Sequence, residues 1–316
     1  MAACSSARGA MRRTAATTGA SRPGSCPGTP STYLGLWKSD GTDTGTQKVA
    51  SATATTYSSV DYLTVCNNWL YFSAYNATVG QELFRTNGKY VYLVKDIDPG
   101  NTGSAPMSLV TVDTILYFTA TGYNGRELHR CGGTTATTGL IRDLYPIQTD
   151  AQINNMTAVG NTLFFTAQET PNYGDIELFK CKGTSISRVK DIWAGALGSS
   201  QPTNFYAWNN KLYFSANDNI VGRELWTSDG TASGTVLLKD VNNGTLGSGI
   251  TSIAEYPGGV MFNANEPTYK DELWRSAGDS TKTKMVKDIG TNSPYSSTPR
   301  KLKSVNGKVF FTTEPY

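Results

Sequence analysis

Five glutamates recur along the sequence at nearly constant spacing, and each precedes a basic residue that is followed directly by aspartate. The glutamates are Glu82, Glu127, Glu177, Glu224 and Glu272, and the aspartates are Asp96, Asp143, Asp191, Asp240 and Asp288. A ring of such carboxylates could hold a divalent metal ion, because oxygen ligands suit hard cations. A residue present in every repeat, however, usually serves the structure that every repeat needs. We therefore interpret both sets as structural, and we predict neither a catalytic residue nor a metal site.

The sequence contains a single histidine, His129, and this limits the kinds of catalytic and metal site that it can form. It occupies a repeat position that is aromatic elsewhere, at Trp37, Phe84, Phe179, Trp226 and Trp274. We therefore interpret it as a packed substitute for an aromatic ring. One histidine also argues against histidine-based triads and multi-histidine metal sites. The sequence contains no phosphate-binding glycine loop, zinc motif or nucleophile elbow, so we predict no cofactor. The sequence does not decide whether two carboxylates form a catalytic pair across a ring, because the distance between them cannot be read from a sequence.

The segments that carry these residues are predicted to be short β-strands. In one unit, apolar or β-branched runs cover residues 108–112, 115–120, 126–130 and 139–143, and each is bounded by turn-forming residues. Asp40-Gly41, Asn87-Gly88 and Asp229-Gly230 suit two-residue hairpins, which need positive φ. The unit repeats about every 47 residues. A four-stranded meander at this period predicts an all-β fold built of β-propeller blades.

The number of blades follows from the second and third strands, each of which appears six times. The N-terminal end supplies the third and fourth strands of one blade, and the C-terminal end supplies its first and second. We predict a six-bladed β-propeller of four-stranded antiparallel blades, closed where residues 309–313 pair with residues 36–39. Closure would leave no blade edge unpaired. The alternative is a fragment of a longer open array.

Residues 222–244 resemble the ELWxxDGT repeat family, some of whose members are called hyalin-like. The resemblance rests on Gly-Arg-Glu-Leu-Trp-Thr-Ser-Asp-Gly-Thr at 222–231 and on the later Lys239-Asp240, and it extends over roughly residues 34–316. It implies a propeller-like array in a large secreted or surface protein, without established catalytic residues. Other copies depart from it, since Gly35 stands in the glutamate position and Gly132-Gly133 replaces the Asp-Gly turn.

Residues 1–30 are treated apart from the single propeller predicted for residues 31–316. They contain several arginines and no acidic residue, and they lack the apolar segment of a secretory signal. A disordered leader, a misassigned start and an organelle-targeting peptide all stay open. The compartment is therefore undetermined by this segment, while the family resemblance points to the cell surface or the extracellular space.

Composition and loop content guide the prediction of partners. The 316 residues carry a net charge of +3 without a basic block, which argues against nucleic acid. No apolar run approaches the roughly 20 residues of a membrane helix. The loops that vary between units are rich in aromatic residues, which suit a sugar ring or a protein surface. The predicted ligand-binding residues are Tyr75, Tyr123, Tyr173, Tyr269, Trp193 and Tyr295.

Two functional hypotheses arise from these observations. The main one is a non-catalytic binding or structural module, outside the cell, that recognises a glycan or a protein through one loop face. The alternative is a propeller enzyme, a hydrolase or lyase, that uses carboxylates at the central channel. Acidic residues clustered at one mouth of the channel would favour the enzyme, and an aromatic rim would favour binding. Membership of a larger assembly is compatible with either hypothesis.

Overall fold

The computed structural model describes residues 35–51, 56–146, 149–169, 174–195, 198–290 and 297–313. These residues form 25 strands and no helix. The segment Gly35–Tyr316 is one compact unit. The leader predicted at residues 1–30 and two of the predicted ligand-binding residues, Tyr173 and Tyr295, lie outside the described residues. No helix within the described ranges is long and apolar enough to cross a membrane.

Strands in chain order fall into five complete blades with short sheets before and after them. The first strands are β1 (Trp37–Lys38), β2 (Gln47–Lys48) and β3 (Ala50–Ser51). Blade I contains β4 (Ser58–Cys66), β5 (Trp69–Asn76), β6 (Gly80–Thr86) and β7 (Tyr90–Lys95). Blade II contains β8 (Met107–Val112), β9 (Ile115–Gly122), β10 (Gly125–Cys131) and β11 (Thr138–Leu140). Blade III contains β12 (Asn154–Val159), β13 (Thr162–Gln168), β14 (Ile176–Lys182) and β15 (Ser185–Lys190).

The remaining strands continue the same pattern. Blade IV contains β16 (Thr203–Trp208), β17 (Lys211–Asn217), β18 (Arg223–Ser228) and β19 (Val236–Lys239). Blade V contains β20 (Ile253–Tyr256), β21 (Gly259–Glu266), β22 (Lys270–Ser276) and β23 (Lys284–Lys287). The last two strands are β24 (Arg300–Val305) and β25 (Lys308–Thr312). Every blade is an antiparallel meander whose strands pair in chain order, which confirms the predicted all-β propeller architecture.

The first strand of each blade lies beside the first strands of its neighbours. Contacts join β4 to β8, β8 to β12, β12 to β16, β16 to β20 and β20 to β24. The second strands carry phenylalanines that are 0% exposed, namely Phe72, Phe118, Phe165, Phe214 and Phe262. Each contributes to one of the buried apolar clusters. The first strands of the blades, which we call the inner strands, therefore face one another, while the apolar side chains of the second and third strands fill the core.

The Asp-Gly-Thr turn of the repeat is held by its own side chains. In blade IV, Asp229 Oδ1 accepts hydrogen bonds from the Thr231 amide at 2.8 Å and the Thr231 hydroxyl at 2.7 Å. Thr231 Oγ1 in turn accepts from the amide of Gly234 at 2.9 Å. A Cβ at Gly234 would lie 2.1 Å from Asp229 Oδ1, so only glycine fits there. The hairpin thus accounts for both the aspartate and the second glycine of the motif.

The two ends of the described chain form separate two-stranded sheets, β1 with β2 and β24 with β25. The short strand β3 adds in parallel to β7, so the chain after β2 is attached to the outer edge of blade I. These strands agree with a sixth blade in number. The predicted pairing of residues 309–313 with residues 36–39 is not formed between the described strands, and closure of a six-bladed ring stays a prediction.

The aromatic repeat position is buried in every complete blade. Phe84, His129, Phe179, Trp226 and Trp274 are between 1% and 7% exposed. Trp37 occupies the same position in β1 but is 47% exposed, so the burial of this position does not extend to β1. The physical reason is local, because β1 has β2 as its only sheet neighbour among the described strands.

Replacing the aromatic ring should therefore have unequal effects at two equivalent positions. Trp226→Ala should lower the free energy of unfolding by about 3–5 kcal/mol, as expected for a large buried aromatic residue. Trp37→Ala is the matched control, and its exposed ring should cost much less. Urea denaturation of both variants measures the difference. Equal losses would contradict the burial described for β1.

Candidate functional site

The repeated glutamate of the third strand anchors the chain as it crosses to the next blade. In blade I, Glu82 Oε2 accepts a hydrogen bond from the Ser104 hydroxyl at 2.6 Å. Glu82 Oε1 accepts from the amides of Asp98 at 3.1 Å and Ser104 at 2.9 Å. Burial alone would disfavour the charged carboxylate, and the donors offset part of that cost. The structural interpretation of the glutamate is therefore supported in this blade.

The serine donor recurs in blades III, IV and V. Ser200, Ser248 and Ser297 donate their hydroxyls to Glu177, Glu224 and Glu272 at 2.6, 2.6 and 2.7 Å. In blade II the equivalent residue is Ala151. The equivalence is geometric, because the carbonyls of Ser104, Ala151, Ser200 and Ser248 each accept an amide from the end of the following blade's second strand. Blade II thus lacks the hydroxyl donor that the other blades have.

The missing hydroxyl leaves Glu127 incompletely bonded. Glu127 is 0% exposed, and its Oε2 accepts from the amide of Leu144 at 3.1 Å. Its Oε1 is buried and has no hydrogen-bond partner within the described residues. Burial raises the pKa of Glu127 to about 8, and the charge of Asp143 adds to this effect. At neutral pH the side chain is consequently a carboxylic acid that can donate a proton.

A second substitution in the same blade opens space beside this acid. In blades IV and V a lysine of the preceding blade lies over the tryptophan of the aromatic position. Lys190 Nζ is 5.7 Å from the ring centroid of Trp226, and Lys239 Nζ is 5.6 Å from the ring centroid of Trp274. In blade II the corresponding lysine is Lys95 and the ring is the smaller His129. A cavity of about 230 Å³ lies here, lined by both residues and by Glu127.

His129 is neutral and has a defined tautomer. It is 4% exposed and stacks on Phe118 with the ring centroids 5.6 Å apart. Its Nδ1 lies 3.1 Å from the carbonyl oxygen of Glu127. A carbonyl can only accept, so Nδ1 carries the hydrogen and Nε2 is the acceptor. Burial, aided by the charge of Lys95, lowers the pKa of His129 to about 4.

Asp143 supplies a second carboxylate near the acid. Its Oδ2 accepts a hydrogen bond from the side-chain amide of Asn124. Its Oδ1 is buried without a partner in the described part of the chain. Because its negative charge raises the pKa of Glu127, Asp143 helps to hold the proton on that side chain. The site therefore combines a proton donor, a neutral imidazole acceptor and a carboxylate.

The predicted ligand-binding residues are only partly connected with this cavity. Tyr123, which is 83% exposed in the turn between β9 and β10, lines it. Tyr75 and Tyr269 are 41% and 47% exposed and do not line it, and Trp193 is half-buried elsewhere. The structure thus brings one predicted tyrosine to the acid–base cluster. A common binding face for the other residues stays a prediction.

Reasoning from the sequence interpreted Glu127 and His129 as structural and did not predict the cavity that both residues line. His129 is indeed packed as an aromatic substitute, but it also lines the cavity. The signal was present in the sequence: blade II alone combines a histidine at the aromatic position with an alanine, Ala151, at the serine position. Recognising it requires knowing that the serine donates to the glutamate, which only the structure shows.

A further group of carboxylates lies in blade III. Oxygens of Asp175, Glu177 and Asp191 come within 4.8 Å of one another. The oxygens of Glu177, however, already accept bonds from the amides of Ile192, Trp193 and Ser200 and from the Ser200 hydroxyl. Arg188 Nη1 supplies positive charge, 3.4 Å from Asp175 and 3.9 Å from Asp191. The cluster is thus explained by its arginine, and we assign no metal to it.

Comparison with known proteins shows similarity at the level of the fold. No protein-family model matches the sequence. No curated protein is similar to it in sequence. Solved structures that are similar include a prolyl endopeptidase, at 10% identity and a TM-score of 0.47 over 80% of this chain and 38% of that one. Puromycin hydrolase is 11% identical, with a TM-score of 0.46 over 84% of this chain and 44% of its own.

The β-propeller domain of the Trilobed protease from Pyrococcus furiosus is also similar, at 10% identity and a TM-score of 0.42 over 79% of this chain and 73% of that one. The present chain spans less than half the length of the first two proteins. These likenesses concern the propeller fold, and they leave the resemblance to the ELWxxDGT repeats as a prediction.

The functional prediction nevertheless needs correction. The main hypothesis, a non-catalytic binding or structural module, is contradicted by similar structures that are peptidases and hydrolases. The alternative, a propeller enzyme that uses carboxylates at the central channel, is retained. Among the described strands, the first strands of the blades contribute Asp61 and Glu255 as acidic residues, and Glu127 lies on the third strand of its blade.

The proton on Glu127 should be visible as a pH dependence of stability. Between pH about 4.5 and about 8 the folded state keeps a proton that the unfolded state has lost, so the unfolding free energy falls as the pH rises. At about 1.4 kcal/mol per pKa unit, the contribution of Glu127 is at most about 5 kcal/mol. Glu127→Gln should remove this part of the slope in urea denaturation series. Ala151→Ser, which restores the donor, should reduce it. Parallel slopes in all three proteins would contradict the raised pKa.

Proposed function

We propose that this chain is part of a hydrolase in which Glu127 is the general acid. The observation that carries the proposal is the Oε1 of Glu127, which is buried without a hydrogen-bond partner within the described residues, in a side chain that lines a cavity together with His129. A carboxyl group whose pKa lies near the working pH is well suited to donate a proton in a transition state. None of the other repeated glutamates combines this unbonded oxygen with such a cavity within the described residues.

Each group has a defined task in the proposed reaction. Glu127 donates its proton to the leaving group as the bond to that group breaks. His129 accepts a hydrogen bond from the attacking water through Nε2, which places the water beside the acid. Burial keeps Glu127 protonated and the negative charge of Asp143 adds to this effect, while the same charge favours positive charge that develops in the substrate. Burial also keeps His129 neutral, and the charge of Lys95, which donates to the Thr138 carbonyl at 2.8 Å, adds to this effect.

Hydrolysis is favoured over the lyase chemistry that the sequence also left open. A lyase needs a base strong enough to remove a proton from carbon, whereas burial lowers the pKa of His129 to about 4 and makes it a weak base. Glu127 is protonated at neutral pH and cannot serve as that base. The pair is thus better suited to protonating a leaving group. A secreted or surface location, implied by the repeat resemblance, remains part of the proposal.

The proposal predicts an activity that depends on one carboxyl proton. A panel of chromogenic esters, anilides and glycosides should contain a substrate that the wild type hydrolyses. Glu127→Gln should lower kcat at least about 100-fold, because general acids contribute on that order. The rate should fall as the pH rises through the Glu127 pKa of about 8, since only the protonated form donates.

Two variants serve as controls for this experiment. Glu224→Gln changes the equivalent glutamate of blade IV, which is bonded to Ser248, and any folded variant should keep the activity. His129→Trp restores the residue found in blades IV and V, and it should fill the cavity and abolish activity while preserving the far-UV spectrum. Full activity in Glu127→Gln, or in His129→Trp, would refute the assignment.

A further inference from the structure

The reaction proposed above still lacks a substrate class, and the cavity supplies one. We propose, resting on that function, that the bond cleaved is glycosidic and that the ring of Tyr123 is the platform for a sugar. The cavity is lined by a buried acid, Glu127, and by an exposed aromatic ring, Tyr123, and the carboxylate of Asp143 is bonded to the lining residue Asn124. An acid and a carboxylate are the two groups that the hydrolysis of an acetal uses.

Tyr123 is placed to meet a substrate that enters the cavity. Its side chain is 83% exposed, although it lines the same space as the fully buried Glu127. Leu140, 42% exposed, adds apolar surface, and Asn124 adds an amide at the same wall. A flat apolar face with polar groups beside it suits a pyranose, whose C–H face stacks on an aromatic ring while its hydroxyls form hydrogen bonds.

The size of the cavity limits what can enter. At about 230 Å³ it is below the roughly 300 Å³ at which pockets for drug-sized molecules begin. One sugar ring is therefore the largest unit that the cavity accommodates. The remainder of an oligosaccharide would extend past the exposed Tyr123, which lies at the opening.

The residues that line the cavity also discriminate between bond types. They are Lys95, Ile97, Gly122, Tyr123, Asn124, Gly125, Glu127, His129, Gly139 and Leu140. None of these lining residues is a serine, threonine or cysteine that could act as a nucleophile, and the lysine donates a hydrogen bond to a carbonyl. Cleaving an amide or ester by acyl transfer needs an activated nucleophile. Cleaving an acetal needs a proton on the leaving oxygen and a carboxylate near the developing positive charge. Glu127 supplies the proton, and Asp143, which accepts a hydrogen bond from the lining residue Asn124, supplies the carboxylate behind the cavity wall.

The proposed step balances without a further reactant. Glu127 gives its proton to the glycosidic oxygen, and the bond between that oxygen and the anomeric carbon breaks with its electron pair leaving on the oxygen. Asp143 stabilises the positive charge on the sugar. The oxygen of a water molecule, hydrogen-bonded to His129 Nε2, bonds to the anomeric carbon. The proton that this water releases passes to solvent and Glu127 is reprotonated, so the sum is sugar–OR plus water giving sugar–OH and HOR.

Para-nitrophenyl glycosides of the common hexoses, pentoses and N-acetylhexosamines test this assignment against para-nitrophenyl esters and aminoacyl anilides. We expect turnover of at least one glycoside and of neither other class. Tyr123→Ala should raise KM about fivefold with little change in kcat, since a stacked ring contributes about 1 kcal/mol. Tyr90→Ala is the matched control, because that tyrosine is 38% exposed but does not line the cavity, and the KM of this variant should be unchanged.

A binding measurement separates failure of this inference from failure of the proposed function. The Glu127→Gln variant is titrated with oligosaccharides, with and without Tyr123→Ala. Glu127-dependent cleavage of esters or anilides without cleavage of glycosides overturns the glycosidic assignment and leaves the hydrolase. Glycan binding that Tyr123→Ala weakens, without turnover by the wild type, supports the sugar platform and refutes the hydrolase. An unchanged KM and an unchanged affinity in Tyr123→Ala overturn the sugar platform. If no substrate is cleaved and no oligosaccharide is bound, both the platform and the hydrolase are overturned.

Discussion

The fold depends on a buried carboxylate that is bonded to the loop crossing between blades. Each third strand places a fully buried glutamate against this crossing loop, and the donors are loop amides and, in four blades, a serine hydroxyl. Taking a carboxylate out of water is costly unless donors replace the water. The same need for donors fixes the path of the loop, because its amides must point at one side chain. Burial still dominates at Glu224, whose pKa is raised to about 7.

Blade II shows the effect of removing one donor from this arrangement. With Ala151 in place of serine, the desolvated oxygen of Glu127 is best satisfied by a proton, and the pKa rises further, to about 8. The smaller ring of His129 leaves space beside it, so the blade gives up both a hydrogen bond and packing volume. A protein that departs from its own repeat pattern at two positions of one blade loses stability locally, and such departures are expected at functional sites. The other blades show that the fold does not require either change.

The sequence predicts the repeated parts of this structure well, because each is decided by local chemistry. Hairpins at Asp229-Gly230, the buried aromatic position and the four-strand meander all follow from residues close in sequence. The cavity could not be predicted in the same way, since Glu127 and His129 line it together with Lys95 and Ile97 of the preceding blade's last strand and loop, and since the missing donor to Glu127 lies at Ala151 in a distant loop. Catalytic carboxylates at the central channel stay a prediction. The glutamate that lines the cavity is on a third strand, and the strand that lies beside neighbouring blades is the first.

The environments of Glu127 and His129 favour the roles that we propose for them. Burial raises the pKa of Glu127 and lowers that of His129, and the charges of Asp143 and Lys95 add to these effects. Two titratable groups in one cavity are thus driven in opposite directions, one toward holding its proton and the other toward lacking one, which is how acid and base are separated in a site. Lys95 also bonds the Thr138 carbonyl across the blade boundary, and Arg85 bonds the Gly133 carbonyl in the same way. The charge that keeps His129 neutral is therefore fixed by the packing of two blades, so the acid–base pair is preorganised before any substrate arrives.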